Sequence, residues 1–243
     1  MVRILEELGS TPASARAALA RLVNRDLLAR THRGRQTFYS LTRRAEALLS
    51  EGDRRIFGFG RDEVTTELWT VLWHAIPEDR RVTRSRFASR LRFLGFGAVQ
   101  DATWIAARDR EQEVRLLLQE LDVDSYVSVM VGRMSQNVPP AALVEQAWRL
   151  DEVRQRYEAF VSEFGTADQV GAGLLPWAEA FRTRTLMLHR FRGFPFVDPE
   201  LPEAIDPVRS LRKQVLTRFD EIYTALKEPA DAHFWHTVQP SAR

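Results

Sequence analysis

The 243-residue chain carries 35 basic and 33 acidic side chains, a formal charge of +2, with 44% hydrophobic residues and no cysteine. Disulfide scaffolds are thereby excluded, and with no apolar run of about twenty residues and no signal-peptide pattern, neither a membrane partner nor a secreted protein is expected. A reducing cytoplasm fits best, and the length favours two or three modules over one core.

The first informative stretch is residues 11–42. Thr11 is an N-cap type and Pro12 then falls at the first helical position, where its missing donor costs nothing. Ala15, Ala18, Leu19, Leu22 and Val23 recur at helical spacing as one apolar stripe. The other face holds Ser14, Arg16, Ala17, Ala20 and Arg21; its alanines keep it thin enough for the backbone to approach base edges. Alternation about Leu28, Arg30 and His32 and about Thr37, Tyr39 and Leu41 predicts two paired strands. Gly34 supplies the turn, with Arg33 and Arg35 at its tip, where a wing meets phosphates or a minor groove. Thr42 is placed to cap a helix through Leu49. The pattern predicts a winged helix-turn-helix.

Charge supports that reading by where it lies. From Arg16 to Arg44 eight arginines face one acid, Asp26. Residues 1–57 carry +5 and the remainder −3. Arginine is the general cation here, since Lys213 and Lys227 are the only lysines. Its abundance is therefore weak evidence, and its clustering at one end is the footprint expected on DNA.

Residues 54–64 (RRIFGFGRDEV) interrupt both periods and mark a boundary, so the first module is assigned to 1–57. A middle module over 58–136 reads as a strand at 68–76, a helix at 83–94, short strands near 97–99 and 103–106, a helix at 111–121 and a strand at 126–131. That order is ferredoxin-like. From residue 137 to 243 the pattern is helical, with helices over 139–164, 174–191 and 208–226 and a proline-dense connector at 193–207. The fold class expected is α+β multidomain.

Arg182, Arg184, Arg190 and Arg192 stand among Trp177, Phe181, Leu186, Phe191 and Phe194. Two readings stay open. The set supplies cations and apolar area for a coenzyme A thioester, or it is a core whose arginines are solvated or paired with Glu179 and Asp198. His233 and His236 have metal-pair spacing but no further ligands, so no metal is expected. His74, in an apolar strand, reads as a satisfied half-buried histidine rather than a base. Gly165, Gly171 and Gly173 form no phosphate loop and no serine sits in a GxSxG elbow, so catalysis has no support.

SARAALARL, RGRQTFYSLT, the tryptophan-rich strand ending in Ile76-Pro77, LRFLGFG followed by Trp104, and LHRFRGFPFVDPELP occur in that order. Together they resemble the phenylacetate-degradation repressor (PaaX-like) regulators over nearly the whole chain. The resemblance implies a dimeric bacterial transcription factor with a winged helix, a ferredoxin-like middle domain and a helical C-terminal domain. It implies repression of an aromatic-acid catabolic operon, relieved by phenylacetyl-coenzyme A. Ser14, Arg16 and Arg21 then fall on the recognition helix, Arg33 and Arg35 on the wing, and His189, Arg192, Asp198 and Pro199 on the C-terminal signature. The family begins with a further helix before the segment matching residues 2–8, so a truncated or internal start is expected. It also tends to carry a tryptophan-glycine pair after the proline-rich loop, where this chain has Asp206-Pro207-Val208-Arg209.

The expected partners are a palindromic double-stranded operator, an acyl-coenzyme A effector and a second copy of the chain. Ser14, Arg16, Ala17, Arg21, Arg33 and Arg35 are the candidate DNA contacts, and Arg182, Arg184, His189 and Arg192 the candidate effector contacts. Two rivals remain. One is a metal-dependent nuclease on the ferredoxin-like domain, for which Glu67, Asp101 and Asp124 are poor candidates. The other is a winged helix used only for protein contacts.

Overall fold

The computed structural model describes residues 2–34, 36–61, 67–135, 137, 139–165 and 175–238. Arg35, residues 62–64 of the expected boundary, Gly171, Gly173 and Leu174 lie outside them. The chain packs as two units. One comprises Met1–Gly58, Phe164–His189 and Arg218–Arg243, the other Phe59–Glu163 and Arg190–Thr217.

The first unit opens with helices α1 (Val2–Glu7) and α2 (Pro12–Asn24). Thr11 Oγ1 accepts from the Ser14 amide at 3.2 Å, and the Ser14 hydroxyl donates back to the Thr11 carbonyl at 3.1 Å. This reciprocal cap satisfies an otherwise orphaned donor of the first turn. At the other end the Leu27 amide donates to the Leu22 carbonyl and Asp26 to Val23. Asp26 turns left-handed there, with φ of 56°, closing the helix as glycine usually does. Strands β1 (Leu28–Arg33) and β2 (Gln36–Leu41) pair antiparallel about Gly34, with Leu28 opposite Leu41. Helix α3 (Arg43–Gly58) follows and runs through the predicted boundary as far as Gly58. Thr42 Oγ1 both accepts from the Ala45 amide and donates to the Asp26 carbonyl at 2.7 Å, tying the hairpin base to the end of α2.

Ile4, Ala15, Leu19 and Ala45 are buried. Leu22, expected on the buried stripe, lies at the surface, as do Leu41, Leu48 and Leu49. The small stripe buries at Ala15 and Leu19, and Leu22 extends beyond what covers it.

In the second unit the order is β3 (Leu68–His74), α4 (Arg81–Phe93), β4 (Gly97–Gln100), β5 (Thr103–Ala106), α5 (Glu111–Leu121) and β6 (Val127–Arg133). That is the strand, helix, two strands, helix, strand sequence expected. The sheet order is β4-β5-β3-β6, antiparallel throughout. Leu72, Phe87, Leu91, Trp104, Val114 and Leu117 share one core, so α4 and α5 cover one face of the sheet. Helix α4 ends at left-handed Gly95 (φ 86°) and α5 at left-handed Asp122 (φ 51°).

The region expected as one helix over 139–164 is two, α6 (Pro140–Ala147) and α7 (Leu150–Phe164). The break at Trp148 is extended (φ −127°, ψ 140°), and the indole Nε1 donates to the Gly95 carbonyl. Tertiary anchoring of that one ring outweighs the helical period on either side. Helices α8 (Trp177–Phe191), α9 (Arg209–Ala225) and α10 (Lys227–Val238) follow. The last was not anticipated. Pro229 occupies the first turn of α10, where no helical amide bond is lost.

Within the second unit Phe59, Tyr157, Phe160, Phe191 and Phe194 are buried together, with ring centroids 4.7–6.2 Å apart in tilted and edge-on pairs. Within the first, Phe219 and Tyr223 stack and Phe57 packs tilted against both.

Candidate functional site

The capped first turn of α2 fixes Ser14 at the surface, and Arg16, Ala17, Ala20 and Arg21 are exposed beside it. Arg16 and Arg21 have no acidic partner among the described residues. The helix thus presents a thin, cationic face whose opposite side, Ala15 and Leu19, is packed inside. Arg33 ends β1 at the hairpin tip beside left-handed Gly34. His32 and Thr37 form a cross-strand pair at 3.3 Å just below that tip.

The second candidate set is divided. Arg182 and His189, seven residues apart on α8, are exposed and belong to the first unit, while Arg192 is exposed in the second. Arg184 is held inward. Its guanidinium lies 3.8 Å over the Tyr223 ring, its Nε donates to the Tyr223 carbonyl at 3.0 Å, and Asp231 stands 3.9 Å away. These are the contacts of a brace between α8, α9 and α10. Arg190 pairs with Glu163. Asp198 takes none of the four arginines offered to it by sequence.

Asp198 instead organises a buried cluster in the second unit. Arg212 Nε and a terminal nitrogen grip its two carboxylate oxygens at 2.7 Å each, in the bidentate geometry that suits a planar fork. The Tyr157 hydroxyl donates to the same carboxylate, as does the Glu200 amide at 2.6 Å. The remaining Arg212 nitrogen reaches Asp206. Glu200 accepts from the Gly60 amide, and its carbonyl accepts from Arg108. Burial, with the Asp198 charge beside it, pushes the Tyr157 hydroxyl well above its usual range. Burial also raises the Asp206 carboxyl, against the opposing pull of Arg212. For Arg212 burial works to lower the pKa and is outweighed by Asp198, so the net direction is up. The proline-dense connector is thereby pinned from α7 and α9. No sequence signal paired Arg212 with Asp198, because the two lie fourteen residues apart across an irregular loop.

Two cavities flank this cluster. One of about 900 Å³ is lined by residues of α6, the start of α7 and the Glu203–Pro207 segment, including Asp206. The other, about 550 Å³, is walled by Trp104, Trp148, Phe96 and Phe196, with Arg92 and Arg149 at its edge. Arg92 lies 5.2 Å over the Trp104 ring. Gly97 builds this wall, because a Cβ there would stand 2.5 Å from the Ala147 carbonyl and 2.7 Å from Trp148. Neither cavity is lined by Arg182, Arg184, His189 or Arg192. Aromatic walls with a cation suit a flat anionic ligand.

His233, weighed as a metal ligand, bonds Glu7 of α1 at 2.6 Å and packs on Phe181. Among the described residues no three metal-binding side chains converge, and Glu67 pairs with Arg133. The nuclease reading therefore finds no support. Among the described residues no helix is long and apolar enough to cross a membrane. His74 is half-buried as expected, edge-on to Phe87, but its Nδ1 has no hydrogen-bond partner among the described residues. Burial, then the charge of Arg84, lowers its pKa.

Comparison with known proteins follows this layout. Residues 1–45 match the model of the PaaX-like protein family, residues 63–144 the PaaX protein central Cas2-like domain, and residues 148–236 the PaaX-like protein C-terminal domain. The transcriptional repressor PaaX of Escherichia coli (strain K12) is 26% identical over 215 residues, covering 85% of this chain. The chain spans 66% of that relative's length. Among solved structures, the uncharacterized protein Rv0674 from Mycobacterium tuberculosis aligns with a TM-score of 0.57 at 22% identity, over 95% of this chain and 88% of that one, a likeness of fold. Three family models in order along one chain place it in a single group: the protein belongs to the PaaX-like family.

Proposed function

We propose that this chain is a DNA-binding transcriptional repressor whose hold on its operator is released by a small-molecule effector. The likeness to the PaaX repressor over most of the chain carries the reading, and the exposed, unpaired Arg16 and Arg21 on a capped helix support it. Residues 1–57 act as a winged helix-turn-helix, with α2 as the recognition helix and Ser14, Arg16, Ala17 and Arg21 toward base edges. Arg33 and Arg35 on the wing hold the backbone. Residues 58–136 form a ferredoxin-like middle domain and 137–243 a helical effector domain. A homodimer in the cytoplasm sets two recognition helices about 34–36 Å or a multiple apart on a palindromic site.

The effector is an aryl-acetyl-coenzyme A, and the controlled genes serve aromatic-acid catabolism. Exposed Arg182 and His189 of the first unit supply contacts for its phosphates, with Arg184 bracing their helix; Arg192, exposed in the second unit, is a candidate contact by itself. Within the second unit, the cavity walled by Trp104 and Trp148 is an alternative seat for the aromatic group. Selection of duplexes from a random pool by the full chain tests the DNA reading. It should enrich a palindrome, and Arg16→Ala or Arg21→Ala should each weaken binding to it by about 1–3 kcal/mol. A pool that enriches no sequence would overturn it.

A further inference from the structure

A second cationic face lies outside the N-terminal segment. Helix α4 carries five arginines and no acid over thirteen residues, RVTRSRFASRLRF. Its neighbour Arg80 adds a sixth, although residues 58–243 together carry −3. The structure sorts these six into two sets. Arg80, Arg84 and Arg90 turn toward acids on neighbouring segments, Asp122, Glu78 and Glu120. Arg81, Arg86 and Arg92 are exposed and have no acidic partner among the described residues, and Arg92 also lies 5.2 Å over the Trp104 ring.

At about 100° per residue the exposed positions 81, 82, 85, 86, 89 and 92 fall on one face, opposite buried Phe87 and Leu91. Ser85 and Ser89 run down its middle with arginines on both flanks. A solvated helix of ordinary composition would intersperse acids for i, i+4 pairing, and this one has none. From Arg81 to Arg92 the helix rises about 16 Å, the axial span of about five phosphates of one strand. Short hydroxyls between guanidinium forks are donors to phosphate oxygens, and no apolar anchor that a protein interface would need is present except Val82.

We infer that the outer face of α4 is a second, sequence-independent contact to the phosphate backbone of double-stranded DNA, made by Arg81, Arg86 and Arg92. The inference rests on the DNA-binding reading above. Its contacts are electrostatic and add affinity without adding sequence preference.

Anisotropy of the full chain on a labelled 40-base-pair duplex of mixed sequence, titrated at salt between 50 and 200 mM, tests it. Removing two phosphate contacts lowers the salt slope by about two, so the Arg81→Ala/Arg86→Ala variant should show about 12-fold less loss of affinity across that range than the unaltered chain. A charge-matched control at exposed arginines away from α4, Arg115→Ala/Arg156→Ala, should keep the original slope. Alanine at exposed helical sites leaves the fold intact, which unfolding curves check. An α4 variant with the unaltered slope overturns the assignment while leaving the DNA reading standing. Failure of the unaltered chain to bind the duplex at any salt overturns both. A loss confined to an RNA duplex of the same sequence overturns the choice of DNA.

Discussion

Removing the Arg212 guanidinium strands the Asp198 carboxylate, which is 1% exposed and among the described residues otherwise holds the Tyr157 hydroxyl and the Glu200 amide. Breaking one side of a buried pair costs about 3–5 kcal/mol, more than the pair itself contributes. Arg212→Met should therefore lower stability in urea by that amount, and a loss under about 1 kcal/mol would mean that the cluster is not closed in solution. His74 gives a pH signature. Its pKa is lowered in the folded chain, so the neutral ring contributes stability that is full above the ordinary value of 6.5 and declines as pH falls below it. The melting temperature should fall from pH 7 to pH 5, and His74→Gln should flatten that fall. Equal slopes in both proteins would remove His74 from the account. Neither effect could be anticipated from sequence. The partner of Arg212 lies across an irregular loop, and the histidine's unpaired Nδ1 follows from packing against Phe87 rather than from its neighbours in the chain.

Local chemistry decided how much of each element could be anticipated. Thr11 and Thr42 are cap types and Pro12 a first-turn residue at the right offsets, and the helix starts they predict are found, although the helix after Thr42, expected through Leu49, runs on to Gly58. The β3-to-β6 order was readable because strand and helix periods alternate cleanly between residues 68 and 133. The break at Trp148 was not. The residues around it keep a helical period, and the interruption is imposed by an indole bonded to the Gly95 carbonyl. Helix α10 was not expected from sequence, and Pro229 stands harmlessly in its first turn. The same junction supplies an element-scale prediction. Gly97 lies so near the Ala147 carbonyl that Gly97→Ala must displace the break and narrow the cavity by Trp148. Thermal unfolding should show a destabilisation of about 1–3 kcal/mol. An unchanged melting curve would indicate that β4 and the α6–α7 corner separate easily. Arg184→Ala, by contrast, removes the contacts to Tyr223 and Asp231, and should lower stability even without any ligand.

At the scale of the whole molecule the charge distribution and the family membership point the same way. The basic end of the chain carries the helix and hairpin proposed to meet DNA, and the acidic remainder holds an aromatic-walled cavity, a buried ionic cluster and one basic helix. Sequence alone reached the family through five segments, the last of which becomes the connector pinned by Asp198. Release by an effector requires that the ligand favour a state with weaker DNA affinity; tight binding to both states alike would release nothing. The most direct measurement is anisotropy of the full chain on its selected duplex, titrated with phenylacetyl-coenzyme A and, separately, with free coenzyme A. The proposed function predicts release by the thioester at concentrations where free coenzyme A leaves the complex intact, and retention of the duplex in the presence of both would contradict it.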